Sequence, residues 1–580
     1  MKNTGADKMD KDRVADILIE IGQYLDLKGE SPFKVRAYEN GARIVLSLEE
    51  DLETLVSEKR LGTIKGIGQA LEQKITELVT TGRLQYYEDL KAEFPPTLFD
   101  LFRIPGLGSK KIRVLYDTLD ITTIGELEYA INENRLVDLP GFGKKTQENI
   151  KKGIAQVRTT AGQYLLHEAG SMAYDVLLGL KECSSIQSLS IAGSLRRSKE
   201  IIKDIDVLAS SEDAEKVMDH FSTLPTVVDV TGKGHTKTSV RLKGGIAVDL
   251  RVVSPEQYPY ALHHFTGSKE HNTKMRHIAK SMGLKMNEYG LFSNEGNENI
   301  PCSSEEDLFK ALGMTYIPPE LREDMGEIEA ALENKLPKLV ESKDMLGIFH
   351  FHSHYSDGSN SIAELAEEVK RQGYRYMGIA DHSRSAYYAR GLKEEDILRQ
   401  IEEIDELNSK YKDFHIFKGI ESDILTDGSL DYSNDFLKNL DFVIASVHSQ
   451  FRMDKESMTK RISTAMDNPH TTMLGHITGR LLLSRDGYEV DLDKILGKAA
   501  QKGTVLEINA NPHRLDLDWL WVKKAKEMGI RIMINPDAHS LSEIAYTSFG
   551  IAMARKGWCE KEDVLNCLDI NEMKKFLLSS

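Results

Sequence analysis

The chain has 580 residues, of which 40% are hydrophobic and 29% charged, and a formal net charge of −16 at pH 7. A chain of this length should form several domains, because single hydrophobic cores stop growing near about 250–300 residues. No apolar run approaches the roughly 20 residues of a transmembrane helix, and the first residues lack an apolar segment with a cleavage site. We therefore expect neither a membrane protein nor a secreted one. The 4 cysteines form no CxxC pair, which is typical of a reducing cytoplasm.

A short pattern recurs three times near the amino terminus. Each copy has two glycines around one apolar residue and then a helical stretch: IKGIGQALEQKI (64–75), IPGLGSKKIRVL (104–115) and LPGFGKKTQENI (139–150). Glycine permits the positive φ of a tight turn, and the next helix starts with free N–H groups that can bind a phosphate without reading a base.

This helix-hairpin-helix pattern predicts DNA binding that is not sequence-specific, although a plain helical bundle is an alternative. Local basic patches matter more for phosphate binding than the negative total charge. The candidate DNA-binding residues are Gly66, Gly68, Gly106, Gly108, Lys110, Lys111, Gly141, Gly143, Lys144 and Lys145.

Three aspartates lie in apolar, strand-like runs in the middle of the chain. Asp204 and Asp206 are two residues apart in DIDVLA and so share one strand face, and Asp249 lies in GIAVDLRVV (245–253). Aspartate is a poor strand former, and converging carboxylates repel one another unless cations bind there. Mg²⁺ prefers such oxygen ligands, and two ions about 3.5–4 Å apart can clamp an in-line phosphoryl displacement.

The turn before these strands completes a phosphate-transfer pattern. The run LSIAG leads into Gly193-Ser194, followed by Arg196 and Arg197. Backbone N–H groups and guanidinium groups together suit a triphosphate. A lone DxD is weak evidence, but its combination with the GS turn, the arginines and a third strand aspartate is specific.

These motifs resemble those of bacterial family X DNA polymerases, which are related to eukaryotic DNA polymerase beta. The resemblance starts at SPFKVRAYENGARIV, includes the repeats and the GSLRR…DIDV segment, and continues into HHFTGSKEHNTKMRHIAKSMGLKMNEYGLF (263–292). It implies that Asp204 and Asp206 hold two Mg²⁺ or Mn²⁺ ions, while Asp249 serves the ion that activates the primer 3′-hydroxyl.

The same resemblance implies further roles. Gly193, Ser194 and Arg197 would bind the phosphates of the incoming nucleotide; Phe265, Gly267 and Asn272 would line its sugar and base edge; Arg276 would lie near the template; and Lys74 aligns with the lysine that forms a Schiff base in lyase-active members. Two positions depart from the eukaryotic pattern: His264 replaces the usual tyrosine that helps select deoxyribose, and Ala247 replaces an arginine.

From residue 344 onward, short apolar runs alternate with amphipathic stretches, and seven of the runs carry metal-binding residue types at or near their ends. Repeated β-then-α units predict parallel strands, whose functional residues gather at the carboxyl ends. The first run, LGIFHFH, contains His350 and His352, and TVLEINA contributes Glu507 and Asn509.

The spacing HxH…SDG with the later histidines and carboxylates resembles the PHP (polymerase and histidinol phosphatase) domain. That resemblance implies a distorted (β/α)7 barrel around three divalent metals held by His350, His352, Asp357, His382, Glu421, His448, His476, Asp537 and His539. Mixed imidazole and carboxylate ligands suit Mn²⁺ or Zn²⁺. The motif gives His354 no ligand role.

The predicted organisation is multidomain, with all-α helix-hairpin-helix domains, an α+β nucleotidyltransferase palm and thumb, and an α/β PHP barrel. The boundaries are 1–88 for a lyase-like domain, 89–160 for a fingers-like DNA-binding region, 161–255 for the palm, 256–318 for the thumb, 319–343 for a charged connector expected to be helical, and 344–580 for the PHP domain.

The leading interpretation is a DNA-directed DNA polymerase that fills gaps in base excision repair. The PHP domain would add a metal-dependent 3′–5′ exonuclease and, as a further candidate, AP endonuclease activity. Expected partners are gapped or primer–template DNA and dNTPs, with no membrane; we expect a cytoplasmic monomer associated with the nucleoid through DNA. Two alternatives stay open: a template-independent nucleotidyltransferase, and a DNA-end-binding scaffold with an inactive PHP barrel.

Overall fold

The structure is a computed structural model that describes residues 11–48, 50–137, 139–158, 162–294 and 298–579. Contacts divide the chain into two compact units. The first comprises residues 1–131 and 136–157, and the second comprises residues 132–135 and 158–580.

The described residues before position 160 are helical, with connecting turns. The α-helices are α1 Lys11–Leu27, α2 Pro32–Ser47, α3 Leu52–Ser57, α4 Gln69–Thr81, α5 Gln85–Ala92, α6 Ser109–Leu119, α7 Ile124–Asn132 and α8 Lys144–Arg158, with 3₁₀ turns at Leu61–Thr63 and Pro96–Arg103. Helix α1 buries Val14, Leu18, Ile21 and Leu25, whose spacing of three or four residues places them on one face. This apolar stripe forms the centre of the first helical core.

The predicted palm contains a five-stranded mixed sheet and a separate two-stranded sheet formed by its first and third strands. Its elements are β1 Tyr164–Leu165, α9 Leu166–Lys181, β2 Ser188–Ile191, α10 Gly193–Arg196, β3 Ile201–Ile202, β4 Asp204–Ser210, α11 Ala214–Ser222, β5 Val227–Lys233, β6 Lys237–Leu242 and β7 Ala247–Val253. The strand order of the five-stranded sheet is β2-β4-β7-β6-β5, and in that sheet only β4 and β7 run parallel to each other. Their register pairs Asp206 with Asp249.

The predicted thumb and connector form a smaller cluster. Their elements are α12 Tyr258–Thr266, α13 Lys269–Ser281, β8 Leu284–Asn287, β9 Gly290–Ser293, α14 Glu305–Ala311 and α15 Glu327–Leu332, with 3₁₀ turns at Pro319–Leu321 and Ser342–Asp344. The connector is less helical than expected, because Pro319 and Pro337 interrupt it. Arg322 is fully buried and donates to Glu305 at 2.6 Å, so this part of the connector packs on α14.

The carboxyl-terminal region is a parallel barrel. Its elements are β10 Gly347–Phe351, α16 Ile362–Arg371, β11 Tyr376–Ile379, α17 Glu394–Lys410, β12 His415–Asp423, α18 Asn434–Leu437, β13 Phe442–Ser446, α19 Lys455–Ala465, β14 Met473–Leu474, α20 Leu492–Lys502, β15 Val505–Asn509, α21 Trp519–Glu527, β16 Ile532–Asn535, α22 Thr547–Lys556 and α23 Ile570–Ser579.

Seven strands pair in sequence order from β10 to β16, all of them parallel. A parallel bridge between Phe351 and Ala538 nearly closes the barrel. The strands are buried on both faces, which explains their continuous apolar runs. The predicted fold class is confirmed. Among the described residues, no helix has the length and apolar character needed to cross a membrane.

Candidate active sites

The three glycine repeats form the expected turns between helices. Gly66, Gly106 and Gly141 have φ of 100°, 82° and 83°, a region that favours glycine. Gly68 and Gly108 stand directly before α4 and α6, and Gly143 directly before α8.

The lysines after the second and third turns lie at the start of the following helices. Lys110, Lys144 and Lys145 are exposed, and Lys111 is half-buried with its ammonium 3.2 Å from the Gly106 carbonyl. The first turn has no matching pair of lysines, but Lys74 lies half-buried on α4 with its ammonium 4.6 Å from the centre of the Tyr86 ring. The DNA-binding and lyase roles of these residues stay predictions.

The three palm aspartates lie together on β4 and β7, two neighbouring strands in the interior of the sheet. Strand alternation places Asp204 and Asp206 on one face, and the parallel register sets Asp249 directly beside Asp206. Asp204 is exposed, whereas the other two are partly buried. Burial first, and then the charges of Asp204 and Asp249, raise the pKa of Asp206 to about 6. Carboxylates that repel one another in this way form a suitable site for divalent cations, because bound cations compensate the repulsion.

Strand β6 supplies two partners of Asp249 that sequence reasoning missed. Ser239 donates to Asp249 Oδ1 at 2.5 Å, and the Lys237 ammonium lies 2.6 Å from Oδ2. The antiparallel register sets Ser239 opposite Asp249. Lys237 thus provides a cation beside Asp249 although Ala247 replaces the arginine expected there. Only the pairing of β6 with β7 could reveal this.

The turn at Gly193 brings the expected phosphate cradle next to the aspartates. Gly193 has a φ of 62°, and a Cβ at this position would collide with the Asp206 carboxylate. Arg197 is buried; its Nη1 donates to the Thr266 carbonyl at 2.8 Å and its Nε to Glu323 Oε1 at 3.1 Å. Arg196, in contrast, is bound to Glu305, so the two arginines have different surroundings.

The residues predicted to hold the sugar and base lie at the end of α12, in the turn after it and on α13. Asn272 Nδ2 donates to the His264 carbonyl at 2.6 Å, and a Cβ on Gly267 would collide with the Asn272 side chain. Phe265 packs under the Arg251 guanidinium at 4.4 Å from its ring centre. Arg276 is exposed on α13. Burial lowers the pKa of His264, which favours its neutral form.

In the barrel, the nine predicted metal ligands converge at the carboxyl ends of the strands. Their side chains are at most 5% exposed: His350, His352, Asp357, His382, Glu421, His448, His476, Asp537 and His539. His354 is exposed, in keeping with its exclusion from the set. His350, His476 and Asp537 have positive φ values of 61°, 24° and 53°, so the backbone is bent where these ligands leave the strands.

Within the described residues, three groups bring donor atoms within 4.8 Å of one another. They are His352 with Asp357, His382 and His539; His350 with His352 and Asp537; and His382 with Glu421 and His448. His476 belongs to none of these groups, but its Nε2 lies 2.9 Å from Glu421 Oε1.

The unsatisfied atoms of this cluster test whether it suits cations. Among the described residues, the buried atoms without a hydrogen-bond partner include His350 Nε2, His352 Nδ1, Asp357 Oδ2, both ring nitrogens of His382, Glu421 Oε2, His476 Nδ1 and His539 Nε2. Buried polar atoms are costly unless they are paired or bind a metal. Their convergence therefore fits a site for several divalent cations.

Electrostatics inside the cluster favour charged carboxylates. Burial would raise the pKa of Glu421, but His448 and His350 hold it well below its ordinary value. Burial likewise opposes a charge on His350, yet Glu507 and Asp537 hold its pKa well above the usual range.

A layer of carboxylates and amides orients the ligands from behind. Glu507 Oε1 lies 2.6 Å from His350 Nδ1, Asp423 Oδ1 lies 2.9 Å from His448 Nδ1, and Asn509 Nδ2 donates to Asp537 Oδ2 at 2.9 Å. Glu507 and Asn509 were noted at a strand end without a role, and Asp423 was missed. Its position two residues after Glu421 on β12 was the available signal, since such residues share a strand face.

Four family models match parts of the chain. They are described as a helix-hairpin-helix domain (residues 9–84), a SAM-like helix-hairpin-helix tandem (99–156), a DNA polymerase beta thumb (261–323) and a PHP domain (349–511).

Comparison of the whole sequence finds relatives that match different shares of the chain. The chain is 38% identical over 571 residues to the DNA polymerase/3′-5′ exonuclease PolX of Bacillus subtilis, covering 98% of this chain and 99% of the relative. A probable phosphatase of Thermoanaerobacter is 29% identical over 38% of this chain and 88% of its own length. The repair DNA polymerase X of African swine fever virus is 30% identical over 23% of this chain and 82% of its own length.

Proposed function

Because the chain belongs to the family X DNA polymerases that carry helix-hairpin-helix and PHP domains, we propose that it fills short gaps during base excision repair and trims DNA 3′ ends. One observation carries this proposal: a carboxylate triad on two neighbouring strands of the mixed sheet and a buried histidine–carboxylate cluster in a barrel occur in the same chain. The two sites suit opposite reactions, since one joins nucleotides and the other removes them.

In the proposed polymerase site, Asp204, Asp206 and Asp249 would hold two divalent cations, Mg²⁺ or Mn²⁺. Bound there, the cations supply charge stabilisation for the entering and leaving oxygens. Ser239 and Lys237 each contact one oxygen of Asp249, and these contacts would orient the carboxylate toward the primer 3′ end.

The incoming dNTP would lie between the GS turn and α12. Gly193 and Ser194 present the backbone to the triphosphate, and Arg197 supplies a guanidinium close by. Phe265, Gly267 and Asn272 would border the sugar and base, and exposed Arg276 would face the template. The exposed lysines of the helix-hairpin-helix repeats would hold the DNA through its phosphates.

In the barrel, the nine ligands would hold up to three Mn²⁺ or Zn²⁺ ions. Such ions activate a bound water and polarise a phosphate oxygen. Glu507 and Asp423 keep the His350 and His448 rings in fixed orientations, because each accepts a hydrogen bond from the Nδ1 of its histidine.

The test is a primer-extension assay on a duplex with a one-nucleotide gap, with each of the four template bases in turn. We expect insertion of the complementary nucleotide and, without dNTPs, shortening of the primer from its 3′ end. Insertion that ignores the template would instead indicate a template-independent nucleotidyltransferase. Absence of primer shortening with Mn²⁺ or Zn²⁺ would indicate an inactive barrel.

A further inference from the structure

A buried lysine of the barrel reaches the nucleotide site of the palm. Lys556, the last residue of α22, is 1% exposed although its side chain is charged. A lysine is almost never fully buried unless its ammonium is paired. Its partners therefore need an explanation.

The Lys556 ammonium has three partners, one for each N–H. It donates to the carbonyl of Arg197 at 2.9 Å, to the carbonyl of Glu320 at 3.3 Å, and to Glu323 Oε1 at 3.0 Å. Its charge also lies 4.8 Å from the centre of the Trp519 ring. The lysine thus binds the backbone of the proposed triphosphate-binding arginine directly.

The same carboxylate oxygen of Glu323 also accepts from Arg197 Nε at 3.1 Å. The Glu323 side chain is 8% exposed, and Lys199 lies 3.8 Å from its second oxygen. Cations therefore outnumber carboxylates here. Burial, opposed by Glu323, lowers the pKa of Lys556; burial would raise the pKa of Glu323, but Lys556 and Arg197 lower it. The lowered pKa of Glu323 fits this excess of positive charge.

This arrangement bears on how Arg197 can serve a triphosphate. If Arg197 were the only buried cation beside Glu323, the two side chains would form a neutral pair. Movement of the guanidinium away from that pair would leave the Glu323 carboxylate buried and unpaired, at a high cost in free energy. Lys556 compensates Glu323 independently. The guanidinium can then turn toward a phosphate without leaving the carboxylate uncompensated.

We propose that Lys556 is a positioning residue of the polymerase site, contributed by the PHP domain, which keeps Arg197 available to the incoming nucleotide by neutralising Glu323. This inference rests on the proposed polymerase function. It gives the barrel a part in nucleotide binding that does not depend on its own metal site.

The test uses the full chain and measures KM for dNTP and kcat in single-nucleotide gap filling. In K556M we expect KM to rise about tenfold or more, the factor for weakening one charge-assisted contact, while kcat changes less than about threefold. Primer shortening without dNTPs should stay within about twofold of wild type, because Lys556 touches no barrel ligand.

Adding E323Q should rescue the variant. In K556M/E323Q the carboxylate that captures Arg197 is gone, so KM should return to within about threefold of wild type. The matched control is R555M. Arg555 lies on the same helix turn and binds Glu320 and the Val340 carbonyl, but not Glu323, so KM should not change.

Several outcomes would overturn the proposal: an unchanged KM in K556M, a loss confined to kcat, no rescue by E323Q, or an equal rise of KM in R555M. If K556M does not fold, E323Q is compared with K556M/E323Q. Since Lys556 acts through Glu323, their KM values should agree within about threefold, and a tenfold difference would refute the inference. Failure of wild type to insert nucleotides would refute the polymerase function instead.

Discussion

The palm and the barrel both bring carboxylates together, but the burial and the neighbours of those carboxylates differ. In the palm, Asp204 is exposed and Asp206 and Asp249 are half-buried; burial, and then the charges of Asp204 and Asp249, raise the pKa of Asp206 to about 6. In the barrel, buried histidines surround the carboxylates, and their ring nitrogens lie 2.9–3.4 Å from oxygens of Glu421 and Asp357. Cations and nucleotide complete the open, like-charged site, whereas in the buried site the fold itself orients the ligands whose unpaired atoms the cations would take up.

Removal of one palm carboxylate tests most directly whether the two sites act independently. Asp206→Ala should reduce nucleotide insertion at least about 100-fold, because charge stabilisation of the transferring phosphate is lost. Primer shortening should continue, since the barrel ligands are separate. Insertion and shortening measured on the same gapped duplex check this. If Asp206→Ala also stops shortening, the two sites are not independent.

The reciprocal change removes two barrel ligands. His350→Ala together with His352→Ala should reduce primer shortening at least about 100-fold, because two imidazole donors are lost at once. Metal content should fall by at least one ion, and gap filling should persist. Exposed His354→Ala is the control, with near wild-type shortening. Wild-type shortening by the double variant in Mn²⁺ would contradict the ligand assignment.

A milder change tests whether the fold orients the barrel ligands before a cation binds. Glu507→Gln keeps the shape of the side chain but weakens its contact with His350 Nδ1, which should lower metal affinity about 10–100-fold. Titration of the metal-free protein with Mn²⁺ while following primer shortening measures the shift. Excess Mn²⁺ should restore the rate. An unchanged titration curve would mean that Glu507 does not hold His350 in its binding orientation.

Both sites should share the DNA that the repeats bind. Replacing Lys110, Lys111, Lys144 and Lys145 by glutamine should weaken binding of gapped DNA about tenfold or more at moderate salt and flatten the log–log salt dependence by about 0.9 for each lost phosphate contact. Gap filling and shortening should decline together at limiting DNA. Affinity independent of salt, or a strong base preference, would refute phosphate binding.

The smallest effect concerns acid stability of the thumb. Burial lowers the pKa values of His263 and His271, so the unfolded chain binds more protons below the ordinary histidine pKa. Stability should therefore fall as pH drops through about 6.5, by at most about 2 kcal/mol per histidine at about pH 5. His263→Phe, beside Phe309, should reduce the change in thermal midpoint between about pH 7.5 and about pH 5. An unaltered difference would exclude His263 as a cause.

Local periodicity was sufficient for much of both sites. Two-residue spacing placed Asp204 and Asp206 on one strand face, and the β-then-α rhythm placed His382, Glu421 and His448 at one end of a barrel. The prediction of a helical connector was less accurate, because a charged, helix-favouring composition and prolines occur in the same segment. The connector looked charged and helical, but its prolines leave a single α-helix, Glu327–Leu332, in the described segment 319–343.

The sequence by itself determined which residue types lie at the strand ends, because side-chain alternation and strand direction are local properties of the chain. Only the tertiary structure decided which charges meet. Lys237 lies beside Asp249, where the arginine is missing, through strand pairing. Glu507 of β15 supports His350 of β10, and Lys556 contacts Glu323, 233 positions away in the sequence. No periodicity encodes such pairs, because electrostatic compensation depends on distance in space and on burial rather than on spacing along the chain.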